Sequence, residues 1–262
     1  MVKRARLDSE LVRRGLVTSR TEARRAIEAG AVTVNGVPAA RAATLVSGDA
    51  RVALVGEPSP FVSRGGAKLD GALARLDVVV AGRRWLDAGA STGGFTDRLL
   101  KGGAEAVIAV DVGYGQLDWA LRNHERVVVL ERTNVRNITP EDLLWAPDAA
   151  VADLSFISLT LVMPALRTVV VDDGDFVLLV KPQFEVGREA VGAGGVVRDP
   201  SLWRRAVRRV VDAAGDLGLG LAGAAPSHLP GPAGNREFFV HLRRGGATDD
   251  SLLDAIVNEA AR

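Results

Sequence analysis

The chain has 262 residues, a formal net charge of +1 and 47% hydrophobic residues, enough for one large domain or for a medium and a small one. It has no cysteine, which excludes disulfides and thiolate metal sites, and His124, His228 and His241 lack metal-ligand spacing, so no metal is expected. No run approaches the ~18 apolar residues of a membrane helix, and no apolar stretch follows the basic N-terminus, so a cytoplasmic protein without a membrane partner is expected.

Charge is unevenly spread. Residues 1–60 hold ten Lys and Arg against six Asp and Glu, which leaves the remainder slightly acidic. A small basic module ahead of a near-neutral one suggests an appendage for polyanions. Asp8 can cap a helix through Gly15, and Thr18 or Ser19 can cap a second through Ala29. Arg20 and Arg24 share a face of the second helix, with Arg25 adjacent. A strand over 31–34 runs into Asn35-Gly36, a hairpin turn, and 46–55 supplies further strand broken by Ser47-Gly48-Asp49. Glu57-Pro58-Ser59-Pro60 is a stiff polar break. It divides the chain into a first domain of residues 1–58, a linker of 59–64 and a second domain of 65–262.

The second domain alternates strand and helix. A helix follows Gly65-Gly66 with Leu69, Leu73 and Leu76 inward. Strands are expected near 84–88, 106–111, 126–130, 148–153, 175–180, 219–224 and 237–242, and helices near 93–102, 116–122, 159–168, 200–217 and 250–261. Asp199-Pro200 suits a helix N-cap followed by proline. The pattern predicts an α/β fold, Rossmann-like, with a mostly parallel seven-stranded sheet, behind a small α+β domain.

Asp87-Ala88-Gly89-Ala90-Ser91-Thr92-Gly93-Gly94-Phe95 follows the first strand of this domain and opens a helix. Glycine lets backbone approach a ligand, and helix N-terminal amides suit a carboxylate. The loop suits the methionine end of S-adenosylmethionine (SAM), with Asp87 toward the ammonium. The spacing D-x-G-x-x-x-G-G departs from the G-x-G-x-x-G of dinucleotide sites. Asp111, about twenty positions on, can hydrogen-bond ribose hydroxyls. Asn134 and Val135 follow the next strand, where the adenine edge would lie, and Phe156 either lines this pocket or packs in the core.

Asp153 and Lys181 end two parallel strands, Glu237 begins the last strand, and Lys68 lies on the helix before the first. Ligands of such sheets bind beyond the carboxyl ends of the strands. An antiparallel last strand would bring Glu237 to that edge as well. A lysine ending an apolar strand needs a charged partner, and Asp153 or Glu237 can provide one. A lysine amine can take the proton of a poorly nucleophilic hydroxyl or steer its lone pair.

Residues 5–52, with Arg6-Leu7-Asp8, Ser19-Arg20-Thr21-Glu22-Ala23 and Ala31-Val32-Thr33-Val34-Asn35-Gly36, resemble the S4 domain, which implies binding of structured RNA. On that reading Arg4, Arg6, Arg20, Arg24, Arg25 and Arg64 contact RNA. Lys68, Asp153, Lys181 and Glu237 resemble the Lys-Asp-Lys-Glu tetrad of FtsJ-like ribose 2′-O-methyltransferases. The two modules together, with Ser63-Arg64-Gly65-Gly66-Ala67-Lys68-Leu69 and Lys181-Pro182-Gln183-Phe184-Glu185, are similar to the TlyA family. The resemblance implies SAM-dependent 2′-O-methylation of cytidine in ribosomal RNA of the small subunit, the large one or both. It favours Lys181 as the base, without deciding between the lysines. The alternatives are a SAM-dependent enzyme acting on a small molecule, a non-catalytic RNA-binding or ribosome-assembly factor, and a haemolysin. Oligomeric state is unreadable.

Overall fold

The computed structural model describes residues 4–28, 30–39, 41–55, 60–247 and 250–262. It divides into two compact units, Met1–Ala67 and Lys68–Arg262. Most of the polar break at 57–60 lies outside the described residues.

The first unit packs two helices, α1 (Leu7–Arg13) and α2 (Arg20–Glu28), with two small sheets. Strand β1 (Arg4–Arg6) pairs antiparallel with β4 (Leu45–Ser47), and β2 (Val32–Val34) lies between β3 (Val37–Pro38) and β5 (Val52–Leu54). Leu7, Leu11, Ala23, Ile27, Val32 and Val52 form the core. Asn35 and Gly36 have φ of 52° and 81°, as a tight hairpin between twisted strands requires.

Two expectations for this unit are revised. Strand β1 is a short arginine-flanked run with no apolar alternation to announce it. Asp8 does not cap α1: the N-cap position is Arg6, and Asp8 lies buried in the first turn. There it accepts hydrogen bonds from Arg6 (Nη2, 2.9 Å) and Arg20 (Nη2, 3.0 Å), and Arg24 Nε approaches to 3.8 Å. Ser19, by contrast, does cap α2, its hydroxyl accepting from the Glu22 amide at 3.1 Å.

The unit boundary falls inside helix α3 (Arg64–Leu76). Beyond it the chain continues β6 (Arg84–Ala88), α4 (Gly94–Lys101), β7 (Ala106–Val110), α5 (Trp119–Arg122), β8 (Val127–Leu130), β9 (Ala149–Ala152), α6 (Met163–Val169), β10 (Asp175–Val180), α7 (Pro182–Glu185), α8 (Pro200–Gly215), β11 (Gly220–Pro226), β12 (Phe238–Arg243) and α9 (Asp250–Ala261). The seven strands take the order β11-β12-β10-β9-β6-β7-β8. Strand β12 is antiparallel to both neighbours, and the remaining ladders are parallel. All four residues of β9 are buried, as expected for a central strand covered on both faces.

The sequence boundaries shift where local chemistry intervenes. The helix expected over 159–168 divides into a tight turn, Leu159–Leu161, and α6, with Pro164 in the first turn of α6, where its missing N–H is tolerated. The helix expected over 116–122 shortens to α5, because Asp118 accepts from the Ala120 amide and starts it late. Helix α7 was not foreseen; Pro182 opens it directly after β10. Asp199 caps α8, accepting from the Ser201 amide at 2.8 Å.

The Asp8 cluster makes a testable claim about the first unit. The guanidiniums of Arg6 and Arg20 hold the Asp8 carboxyl well below the usual carboxylate range, against the opposing effect of burial. Asp8→Asn is expected to destabilise this unit by about 1–3 kcal/mol near neutral pH, with the deficit shrinking in acid as the wild-type carboxylate is protonated. Urea denaturation at both pH values measures it, and an equal deficit at both would contradict the charge-based account.

Candidate active site

Four charged side chains converge on the carboxyl edge of the sheet. The register Val180↔Phe238 places Lys181 just past the end of β10 and Glu237 just before β12, at the same edge. Asp153 follows β9 and donates its amide to the carbonyl of Ala88 at 3.1 Å. The antiparallel direction of β12 is what lets Glu237 start there.

These groups form two ion pairs. Lys68 Nζ lies 2.5 Å from Glu237 Oε2, with both side chains buried. Lys181 Nζ lies 2.6 Å from Asp153 Oδ1 and donates to Ser155 Oγ at 3.0 Å. Below them, Glu185 of α7 is buried and accepts from Ser158 Oγ at 2.5 Å and from the Leu159 amide at 2.8 Å. Burial raises the pKa of Glu185, against the Ser158 hydroxyl and the Leu159 amide, which lower it. The loops after β9 and β10 are thus tied together at two points. Among the described residues no group of three or more His, Asp and Glu side chains could hold a metal ion.

A cavity of about 350 Å³ opens beside the Lys181–Asp153 pair. Of the residues singled out for a cofactor, Gly89, Ser91, Asp111, Val135, Asp153 and Phe156 line it. Asp111 is held by the Ser91 amide (2.8 Å) and the Gly113 amide (2.6 Å). Gly89 has φ of 85°, and a Cβ there would lie 2.7 Å from the Asp153 carbonyl oxygen, so the loop and the end of β9 interlock only with glycine. Gln116, Thr133 and Ser155 also line the cavity and were missed. Ser155 could have been suspected, two positions after Asp153, and Gln116 lies in the Asp111–Leu117 stretch that resembles a motif of the family; nothing in the sequence marked Thr133.

Other members of that set are placed differently. Gly93 accommodates packing: a Cβ there would meet Leu121 and Leu117 side chains at 2.3 and 2.8 Å. Gly94 is buried at the start of α4, and the Thr92 carbonyl accepts from the Asp118 amide. Phe95 is buried, with its ring 6.1 Å from that of Phe239. Asn134 caps the turn Val135–Asn137 through its side chain, while its neighbours face the cavity. Phe156 is not a core residue: it is 92% exposed with φ of 66°, its ring 5.3 Å from Phe184. Asp87 is fully buried, accepts from Thr96 Oγ1 at 2.6 Å, and its Oδ1 has no hydrogen-bond partner among the described residues.

An FtsJ-like methyltransferase family model matches residues 61–244, about seven-tenths of the chain, and an S4 domain model matches residues 5–52. The chain belongs to the FtsJ-like methyltransferases. It shares its two-module layout with the TlyA family: it is 55% identical to the 16S/23S rRNA (cytidine-2′-O)-methyltransferase TlyA of Mycobacterium tuberculosis, over 93% of this chain and 91% of that one. It is 38% identical to Hemolysin A of Brachyspira hyodysenteriae over 90% and 99% of the two chains. A solved structure from Streptococcus thermophilus that also bears a hemolysin name superposes with a TM-score of 0.78 at 39% identity, covering 99% of this chain and 96% of that one. Among the described residues of this FtsJ-like enzyme, no helix is long and apolar enough to cross a membrane.

In the S4 unit of this FtsJ-like chain, Arg6, Arg20 and Arg24 are gathered around the Asp8 carboxylate while each remains substantially exposed. Arg4 and Arg25 are exposed too. Arg64, at the start of α3, lies against Gly30, where a Cβ would come within 3.3 Å of Arg64 Cδ.

Asp87 yields a pH prediction. Burial pushes its carboxyl up to about 7; the Thr96 hydroxyl opposes this, and the nearby Asp153 and Asp111 add to it. The unfolded chain, with an aspartate near pKa ~3.9, therefore binds fewer protons than the folded one between the two values, so this group makes stability fall as pH rises through that window. Asp87→Asn retains an acceptor for Thr96 without a charge. It is expected to gain about 2–3 kcal/mol on the wild type between about pH 5 and pH 8 in denaturant unfolding. A pH-independent difference would contradict the buried-acid account.

Proposed function

We propose that this chain transfers a methyl group from SAM to the ribose 2′-hydroxyl of a cytidine in ribosomal RNA, of one ribosomal subunit or both. The observation that carries the reading is the meeting of two lysine–carboxylate pairs, from residues distant in sequence, beside a cavity walled by a glycine loop and acidic strand ends. The 55% identity to a cytidine-2′-O-methyltransferase supports the substrate, and the basic S4 unit suits the phosphates of a structured RNA. A ribosomal substrate would place the protein in the cytoplasm.

The residues present fit SAM. Its cationic centres suit Asp111 and Asp153 on the cavity wall, with Asp87 buried behind the glycine loop. In this reading Asp111, on the cavity wall, accepts from ribose hydroxyls and Val135 meets the adenine. When bound, SAM supplies an electron-poor methyl group, so the protein's task is chiefly alignment. Asp153 fixes the Lys181 ammonium group, and Ser155 accepts a second bond from it. Lys181, in its free-amine form, takes the 2′-hydroxyl proton, and Glu237 holds Lys68 beside the same edge.

The test is methyl transfer from labelled SAM to separated ribosomal subunits, with ribose methylation mapped by resistance of the adjoining phosphodiester to alkali. Label confined to bases would refute the reading. Lys181→Ala is expected to lower kcat about 10²–10⁴-fold with SAM affinity within a few-fold of wild type. Lys181→Arg keeps the charge but cannot give up its proton; rescue by arginine would show that the charge, and not a base, is what the reaction needs.

A further inference from the structure

A second cavity, of about 380 Å³, adjoins the Lys68–Glu237 pair on the side of α3, β11 and α9. Arg75, His228, Arg236, Glu237 and Glu259 line it together with Gly71. A Cβ on Gly71 would lie 2.6 Å from His228 Nδ1, so the imidazole rests on bare helix backbone and cavity and helix are fitted to one another. Glu237 is shared: it holds Lys68 and also forms part of this wall.

The charges around the cavity sort by partner. Arg75 makes a two-pronged pair with Glu259, and Glu237 is matched by Lys68. Arg236 is exposed and pairs with no carboxylate among the described residues. With Glu237 matched by Lys68 and Glu259 by Arg75, Arg236 is left as the cation in excess at this cavity. The first cavity carries Asp111 and Asp153 and has the opposite character.

A ribose within an RNA strand has a phosphodiester on each side. A ribose held at the two ion pairs must run a flanking phosphate across an adjoining surface. The acidic cavity disfavours that anion; the second offers it an uncommitted guanidinium. We propose that the second cavity receives the phosphodiester next to the methylated ribose, gripped by Arg236, with Arg75 shared between this phosphate and Glu259. The proposal rests on the reading of the ion pairs as the reaction site.

The test is binding of purified ribosomal subunits across a salt series, with SAM binding measured in parallel. Losing one phosphate contact lowers the slope of log K against log salt by about 0.7–0.9. Arg236→Ala is expected to show that drop and to weaken binding about tenfold, with SAM affinity unchanged. Glu259→Gln, which releases Arg75, should bind the subunits more tightly. A wild-type slope in Arg236→Ala overturns the site, and unchanged binding in Glu259→Gln overturns the share given to Arg75. If the slope responds but wild type methylates no ribose, the phosphate cavity stands and the proposed activity falls; if ribose is methylated and the slope does not respond, only the cavity falls.

Discussion

The buried ion pair between Lys68 and Glu237 is the contact on which the edge of the sheet depends. Taking two such charges out of water costs several kcal/mol before their attraction offsets it, so the pair is a poor way to gain stability. What it achieves is geometric. It fixes the first half of α3 to the residue just before β12, the single strand of this sheet that runs against the others. Had β12 been parallel, Glu237 would begin at the opposite edge, far from Asp153 and Lys181. One reversed strand thus brings residues 68, 153, 181 and 237 to one place.

The surroundings of this edge are divided by charge. On one side three aspartates cluster near a glycine loop, and one of them, Asp87, is buried deeply enough to hold its proton toward neutrality. That environment accommodates a cation. On the other side Arg75, Arg236 and His228 border the second cavity with Glu237 and Glu259, and Arg236 is the cation there that no carboxylate matches among the described residues. In the proposed reading the methyl donor meets the acidic cavity and the RNA strand the side that carries Arg236, so neither ligand competes for the other's surface. The ties from Lys181 to Ser155 and from Glu185 to Ser158 and Leu159 keep the loops between them in register.

Much of this was legible in the sequence because the determining patterns are local. The seven strands are apolar runs bounded by glycine, proline and charge, and each was located to within about two residues. The loop from Asp87 to Phe95 and the strand-end positions of Asp153 and Lys181 follow from the same pattern. What escaped depends on contacts distant in sequence. Gly93 is glycine for its φ of 96° and also because Leu117 and Leu121 press on it, and no local motif states the second reason. Asp8 reads as a helix cap but is drawn inside by arginines from β1 and α2. Phe156, which the sequence leaves between pocket and core, lies on the cavity wall with a left-handed backbone and its ring against Phe184. Which lysine pairs with which carboxylate also required the fold: the register of β10 and β12 sets Lys181 opposite Glu237, yet Lys181 pairs with Asp153, and Glu237 with Lys68 from α3.

The most direct measurement replaces the charged pair by an apolar one. In the double variant Lys68→Met, Glu237→Met, the two side chains keep similar volume and lose both charges. If the pair serves chemistry and not folding, urea denaturation should show stability equal to or greater than that of the wild type, while methyl transfer to ribosomal subunits falls at least about a hundredfold. Wild-type transfer by a stably folded double variant would contradict a site built on these two ion pairs.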